Sequence, residues 1–310
     1  MLLALLLLAA GAFLVAAGAE AAVRGASRFA LATGIPAFAI GALLFGIDFE
    51  GTAGSVIAAG RGQTAVAAGE AYGTILFIFS AAFGAALLVA RKPVDGPSPL
   101  MIIAPALTVV ASALVLEDRF VSRPEGAFLL LVYAGYVTIV VAEQRAVQSR
   151  AARLEEEARS LTGGGGRAAM VAVVGLVALF AGAWLLVAGG IRILARTGLE
   201  AGFVGAAIVA TLAGLDEVLL EVLPVRRGHP ELATGNLFGT LAAFNSFVPG
   251  LAALIRPLQV DGAGAVSFLA AAGLYAFVAV VFLLRLRAWR VVGLVVLACY
   301  AAWLVYAASL

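Results

Sequence analysis

Six carboxylates stand inside apolar stretches of this chain. Most of its 18 acidic residues lie between such stretches or at their ends. The exceptions are Asp48 and Glu50 in one stretch, Glu70 at the start of the next, and Asp216, Glu217 and Glu221 in a stretch of the second half. Asn236 and Asn245 follow in the stretch after that. No Lys or Arg accompanies them at depth; Arg61, Arg226 and Arg227 stand near the ends. A carboxylate within a bilayer is costly unless it is paired, protonated or facing water. Several without basic partners imply a positive ligand. Clustered oxygens without His or Cys suit a hard cation such as Ca²⁺ or Na⁺. The single Cys299 lies in a separate apolar run and the single His229 in a loop, so a thiolate or histidine-rich metal centre is not expected.

Spacing says how these residues can meet. Glu217 and Glu221 are four apart and share one helical face, while Asp216 points elsewhere. Asp48 and Glu50 are two apart and diverge by about 200° on a regular helix, so both line one site only if the helix unwinds. Gly46, Gly51 and Gly54 surround the first cluster and Gly214 precedes the second. Both spans therefore read as broken helices whose freed carbonyls join the carboxylates. Simpler roles stand beside these. Glu221, near the end of its span, lines a vestibule or pairs with Arg226. Thr74 and Thr240 are ligands or bond their own helix backbones. Asn245 is a ligand or an interhelical hydrogen bond. Glu20 sits at the end of the first span.

The elements that position these groups are membrane spans. The 310 residues are 64% hydrophobic and 12% charged, with a mean hydropathy of +1.10. A soluble domain carries about 25% charged residues. A water-soluble enzyme is excluded, and the composition lacks the alternation of an outer-membrane barrel. Ten apolar runs predict ten helices, at 2–22, 32–58, 64–90, 99–116, 125–144, 169–191, 199–224, 231–255, 263–284 and 288–308. The first resembles a signal peptide but lacks a basic leader and is read as a retained span. Of the 20 basic residues, 14 fall on one side of these spans and 6 on the other. That bias places both termini outside and the 145–167 segment in the cytoplasm. The segment reads as a charged helical extension ending in the glycines Gly163 to Gly166, a linker between five-helix halves at 1–144 and 169–310.

Those halves repeat. At an offset of 164, Arg28, Thr33, Gly34, Ala37, Gly41 and Ala42 match Arg192, Thr197, Gly198, Ala201, Gly205 and Ala206. At an offset of 166, Arg61, Gly62, Ala67, Gly69, Gly73 and Thr74 match Arg227, Gly228, Ala233, Gly235, Gly239 and Thr240. Glu70 falls opposite Asn236. With five spans per half, the second half enters from the opposite face. An inverted-topology repeat is the architecture of many secondary transporters, with the substrate near mid-membrane between the halves.

At this point the chain resembles the cation/Ca²⁺ antiporter superfamily, the sodium/calcium exchangers, over essentially its whole length. The family pattern is Ile-Gly, an apolar run, Gly-Thr-Ser-Leu-Pro-Glu, then Gly-Asn-x-x-Gly-Ser. Here Val204-Gly205 precedes Leu212-Ala213-Gly214-Leu215-Asp216-Glu217, and Glu217 stands 19 residues before Asn236 in Gly235-Asn236-Leu237-Phe238-Gly239-Thr240. By resemblance, Glu217 matches a Ca²⁺-coordinating glutamate and Thr240 a hydroxyl ligand. The Thr-Ser pair is replaced by Ala213-Gly214 and the Pro by Asp216. A second polar ligand position falls on Phe244, one residue before Asn245, and on Ile78 in the first half. The first-half glutamate is Glu50, or Asp48 if Gly46-Ile47-Asp48 matches Gly214-Leu215-Asp216.

The resemblance implies an antiporter, not an enzyme, that exchanges Ca²⁺ for Na⁺ or H⁺ by alternating access. The expected ligands are Glu217 and Glu50, with Asp48, Glu70, Asp216, Asn236, Thr240, Thr74 and Asn245 around them. Its expected partners are inorganic cations and the lipid bilayer of a bacterial or archaeal plasma membrane, with no cofactor, nucleic acid or obligatory protein partner. A proton-coupled exchanger is the alternative; a non-transporting scaffold of this fold and a membrane-embedded enzyme are more remote.

Overall fold

The computed structural model describes residues 2–94, 96–155, 165–197 and 214–307 and is helical almost throughout. In chain order the helices are α1 (Leu2–Thr33), α2 (Ala37–Ile40), α3 (Phe49–Gly60), α4 (Thr64–Val89), α5 (Pro99–Ile103), α6 (Ala106–Val115), α7 (Arg123–Glu155) and α8 (Gly165–Thr197). After them come α9 (Leu215–Arg227), α10 (Pro230–Ile255), α11 (Gly262–Leu283) and α12 (Trp289–Ala307). Among the described residues 7 of these, α1, α4, α7, α8, α10, α11 and α12, are long and apolar enough to cross a bilayer. Large apolar side chains such as Phe13, Leu131, Val177 and Leu294 are exposed on the outside. That is the all-α polytopic chain expected from composition, since lipid rather than water must cover such a surface.

Other predicted spans differ in form. Span 99–116 is α5 and α6, separated at Ala104 and Pro105, where proline lacks the N–H that would continue the helix ladder. Span 32–58 is broken as expected: α2 runs into a π-helical turn at Gly41–Phe45, stops at residues 46–48 and resumes as α3. Span 199–224 is described only from Gly214 onward. Its first part, with Ala201, Gly205 and the Val204, Leu212 and Ala213 positions, lies outside the described residues. Two boundaries need correction. The first span does not end at 22 but runs on as α1 to Thr33, because Arg24 and Arg28 sit exposed on its surface and no breaker occurs before Gly34 (φ 70°) and Pro36. The sixth span begins at Gly165 rather than 169, while the fifth continues to Glu155 as the charged helical extension expected there.

The longest helix pairing is α1 against α8, and it explains the glycine spacing. Gly11, Gly18 and Gly25 recur every seven residues on α1, as do Gly175, Gly182 and Gly189 on α8. Gly11 faces Gly182 while Gly18 faces Gly175, so the helices run antiparallel. Each of these partners is the residue 164 beyond the other glycine of the pair, so the seam itself obeys the inverted repeat. A Cβ on Gly18 would lie 2.4 Å from the Leu179 amide nitrogen, and one on Gly175 would lie 2.3 Å from that of Ala22. The backbones touch directly, which is how helices gain contact where lipid supplies no hydrophobic drive.

A second crossing of this kind positions the functional region. The π-helical turn after α2 lies on α10, with Gly41 against Gly235 and Asn236 and Gly46 against Gly239. At the opposite edge, strand β1 (Phe120–Val121) pairs antiparallel with β2 (Leu258–Gln259), and the Arg123 guanidinium donates to the Leu254 and Ile255 carbonyls at 3.1 and 3.2 Å. These bonds tie the loop after α6 to the loop after α10.

Gly18→Leu is expected to lower the thermal midpoint of the detergent-solubilised protein sharply, since overpacking typically costs about 1–3 kcal/mol and here the obstacle is backbone. Gly273→Ala, where a Cβ meets nothing within 4 Å, is expected to be neutral or stabilising. Equal midpoints for the two variants would contradict the seam.

Candidate cation site

The first-half carboxylates gather where α3 begins. Asp48 is its N-cap: one side-chain oxygen, Oδ2, accepts the Gly51 N–H at 3.1 Å, and its carbonyl accepts the Thr52 N–H at 3.0 Å. A short acidic side chain suits this position, where amides lack intrahelical partners. Asp48 is buried. Glu50 lies on the first turn of α3; its side chain is outside the described residues. Glu70 projects from α4 toward α3, with its carboxylate beside Gly54, and Asp48 is its electrostatic neighbour. Glu70 is exposed rather than buried, and Thr74, one turn further, is half-buried. The Phe244 ring from α10 covers Gly51, so that a Cβ there would lie 3.0 Å from it. Where the resemblance expects a polar ligand, the structure has an aromatic wall.

The second-half groups form a ladder between α9 and α10. Helix α9 starts after Gly214, which is covered by the Phe77 ring of α4; a Cβ at Gly214 would lie 2.5 Å from that ring. Asp216 and Glu217 occupy its first turn, both buried, where negative charge meets the positive end of the helix dipole. One turn on, Glu221 is 0% exposed. It does not pair with Arg226, which is exposed at the helix end. Instead its Oε1 accepts from the Asn236 side-chain amide at 3.0 Å. The other oxygens, Glu221 Oε2 and Asn236 Oδ1, are buried with no hydrogen-bond partner, as is Thr240 Oγ1. Helix α9 turns back into α10 at Gly228, so the two run antiparallel. Glu217, one turn before Glu221, therefore comes level with Thr240, one turn after Asn236. Asn245 lies in a π-helical turn (Ala243–Phe247), a distortion common at functional sites. Its amide donates to the Leu241 carbonyl of its own helix at 2.9 Å, its Oδ1 has no partner, and its backbone carbonyl accepts from Ser112.

The helix ends fix how the two halves correspond. Helices α3 and α9 start at Phe49 and Leu215, and both are followed by a glycine in the left-handed region, Gly62 (φ 83°) and Gly228 (φ 82°). Both pairs are 166 apart in number. Gly51 thus stands opposite Glu217, Glu50 opposite Asp216, Ser55 opposite Glu221 and Thr74 opposite Thr240. Neither Asp48 nor Glu50 occupies the position of Glu217, in contrast to both alignments drawn from sequence. The carboxylate has also changed helix. In the second half it is Glu221 on α9 facing Asn236 on α10; in the first it is Glu70 on α4, opposite the α3 position of Ser55. The Ser55 hydroxyl donates instead to the Ala67 carbonyl of α4 at 2.9 Å.

Among the described residues, no three of His, Cys, Asp and Glu converge as a metal-binding group. What joins α9 to α10 among these groups is the carboxylate–amide bond of Glu221 with Asn236, not an acidic cage. Sequence reasoning did not foresee the bond of Glu221 to Asn236 and did not single out Ser55, Ser112 or Thr52, whose buried hydroxyl has no partner. For Glu221 and Ser55 the signal was available: the offset of 166 at Arg61 holds back through the whole of α3.

Comparison with known proteins agrees with this architecture. A family model described as "Sodium/calcium exchanger protein" matches residues 3–142 and 167–308. The chain is 27% identical over 274 residues to "Putative antiporter CaxA" of Alkalimonas amylolytica, covering 86% of this chain and 85% of that protein. It is 29% identical over 272 residues to "Inner membrane protein YrbG" of Escherichia coli (strain K12), covering 84% and 82%. Solved structures of the sodium-calcium exchanger NCX_Mj superpose along the chain. One soaked with 100 mM Na⁺ and 10 mM Sr²⁺ has a TM-score of 0.81 at 18% identity and covers 100% of this chain and 99% of that one. One soaked without Na⁺ or Ca²⁺ has a TM-score of 0.79 at 20% identity and covers 97% and 98%. At that identity the likeness shows a shared fold.

Glu221→Ala and Asn236→Ala are each expected to lower thermal stability, with a coupling between them of about 0.6–1.7 kcal/mol in a double-mutant cycle. Strict additivity would mean that their hydrogen bond contributes nothing. At the α3 cap, Asp48→Ala is expected to cost about 1 kcal/mol and Asp48→Asn much less, because asparagine also caps. Equal losses for the two would exclude the cap as the stabilising role of Asp48.

Proposed function

The chain belongs to the sodium/calcium exchanger family, and on that premise we propose that it is a secondary antiporter exchanging Ca²⁺ for Na⁺ by alternating access. The observation that carries this reading is the set of buried oxygens on α9 and α10. Glu221 Oε2, Asn236 Oδ1 and Thr240 Oγ1 lack hydrogen-bond partners and lie on facing helices. Buried acceptors left without donors are expensive, and a cation supplies what they lack. Ca²⁺ takes about 6–8 oxygen ligands and tolerates irregular geometry, which suits carboxylates mixed with amide and hydroxyl oxygens.

In this reading Glu217 and Glu221, with Asn236 and Thr240, hold the ion from the second half. Asp48, Glu50, Glu70 and Thr74 offer oxygens from the first, and Asp216 and Asn245 adjust the field. The exposed Glu70 stands where an ion would enter, and the buried Glu221 where it would be enclosed. Na⁺ binding to the same oxygens on the return stroke couples the two fluxes, since each ion stabilises conformations through ligands the other also needs. The membrane would be a bacterial or archaeal plasma membrane, with both termini outside; the asymmetry of basic residues supports that orientation. Proton coupling is the second reading. It is favoured by the replacement of a polar position by Phe244, whose ring packs on Gly51, because fewer neutral oxygens remain for Na⁺.

Purified protein in proteoliposomes is expected to take up radiolabelled Ca²⁺ when an outward Na⁺ gradient is imposed. Glu217→Gln is expected to abolish this uptake and Thr240→Ala to reduce it. Uptake that follows a pH gradient and ignores Na⁺ would select the proton-coupled reading. A folded protein that transports Ca²⁺ under neither gradient would overturn both.

A further inference from the structure

Four guanidiniums line one cavity at the end of α9 opposite to the first turn that carries Asp216 and Glu217. A cavity of about 560 Å³ lies between the last third of α1 and the end of α9. Arg24 and Arg28 line it from α1, and Arg226 and Arg227 from α9. One carboxylate reaches them: Glu20 on α1 pairs with Arg24 and with Arg227 across the helix gap. Among the described residues, Arg28 and Arg226 have no carboxylate within ion-pair range. Four cations against one anion leave a surplus that calls for a multivalent or bidentate anion, and guanidinium geometry matches phosphate oxygens.

The rest of the lining says what carries the phosphate. Val23, Leu31 and Leu223 form the apolar part of the wall, and Ser27 and His229 add two further polar groups beside the arginines. Leu31 is 72% exposed, on the outer apolar surface of α1 that also displays Phe13. A ligand seated here meets guanidiniums at one end and the lipid-facing side of the bundle at the other. Its volume falls in the range of sites for small organic ligands, well above that of a single inorganic ion. The four arginines also belong to the side of the chain with the excess of basic residues, the side on which anionic lipids attract such clusters.

We propose that this cavity binds the phosphate headgroup of an anionic phospholipid, with Arg28 and Arg226 as its principal contacts. Arg24 and Arg227 flank the phosphate while remaining tied to Glu20. The lipid then bridges α1 to α9 at the end of that helix opposite to the first turn that carries Asp216 and Glu217. The binding claim stands whether or not the protein exchanges Ca²⁺.

The test uses the full chain, released from phosphatidylcholine micelles doped with phosphatidylglycerol and examined by native mass spectrometry. One phosphatidylglycerol is expected to stay bound to the unaltered protein. The double variant Arg28→Gln, Arg226→Gln is expected to bind it roughly 30-fold more weakly, since each arginine near an anionic lipid surface contributes a fixed increment. The double variant Arg285→Gln, Arg287→Gln removes equal charge outside the cavity and is expected to leave retention unchanged. Should the first double variant fail to fold, Arg226→Gln alone, at an exposed helix end, should weaken binding roughly fivefold. Equal retention in all variants overturns the proposal. So does equal loss in both double variants, which would mean a diffuse surface charge. Full displacement of the lipid by millimolar inorganic phosphate would show a site for the free ion and overturn the lipid assignment.

Discussion

Helices in this molecule are held where glycine lets one backbone lie directly on another. A bilayer gives apolar side chains no reason to leave lipid, so helix association depends on close packing and on the few polar contacts that cross between helices. The α1–α8 seam meets that condition with a glycine every seven residues on both strands of contact. The crossing of α10 by the turn after α2 meets it with Gly41, Gly46, Gly235 and Gly239. The second crossing matters for chemistry. It sets the interrupted segment before α3 against the stretch of α10 that carries Asn236 and Thr240. Side chains at those glycines would separate the first-half break from Asn236 and Thr240 by the width of a methyl group or more.

Much of this was legible in the sequence. The acids at depth, the interruption at Gly46 to Asp48 and the repeat could all be read from residue types and spacing, because each has a strong and unusual signature. The glycine seam was equally visible as a period of seven, yet it hides in a chain where Gly and Ala are everywhere and a match carries little information. Span ends were misplaced where charge was taken as a boundary. Arg24 and Arg28 look like a membrane edge, but a helix does not stop because its surface becomes polar; it stops at Gly34 and Pro36. The role of Glu221 was missed for a different reason. Its partner Asn236 is fifteen residues away on another helix, and only the antiparallel packing of α9 on α10 reveals the bond.

The correspondence between halves shows how an inverted repeat drifts without losing its architecture. The backbone landmarks persist: α3 and α9 start and end at equivalent places, and both are followed by a left-handed glycine. The charge does not follow the landmarks. One half keeps its buried carboxylate on the helix after the break, facing an amide; the other has a hydroxyl there and places its carboxylate on the neighbouring helix. The pair of positions is retained while the residue types are exchanged across it. The polar groups of the two halves are therefore asymmetric, Glu221 buried and Glu70 exposed, although the helix pairs that carry them match.

Two phenylalanines, one from each half, reach onto the other half. Phe77 belongs to the first half and covers Gly214 of the second; Phe244 belongs to the second half and covers Gly51 of the first. Each half thus supplies the ring that covers a glycine at the start of the other's helix, and moving either ring moves the helix that carries its own half's polar groups. Reciprocal cover of this kind ties a rearrangement at either helix start to the packing of the other half.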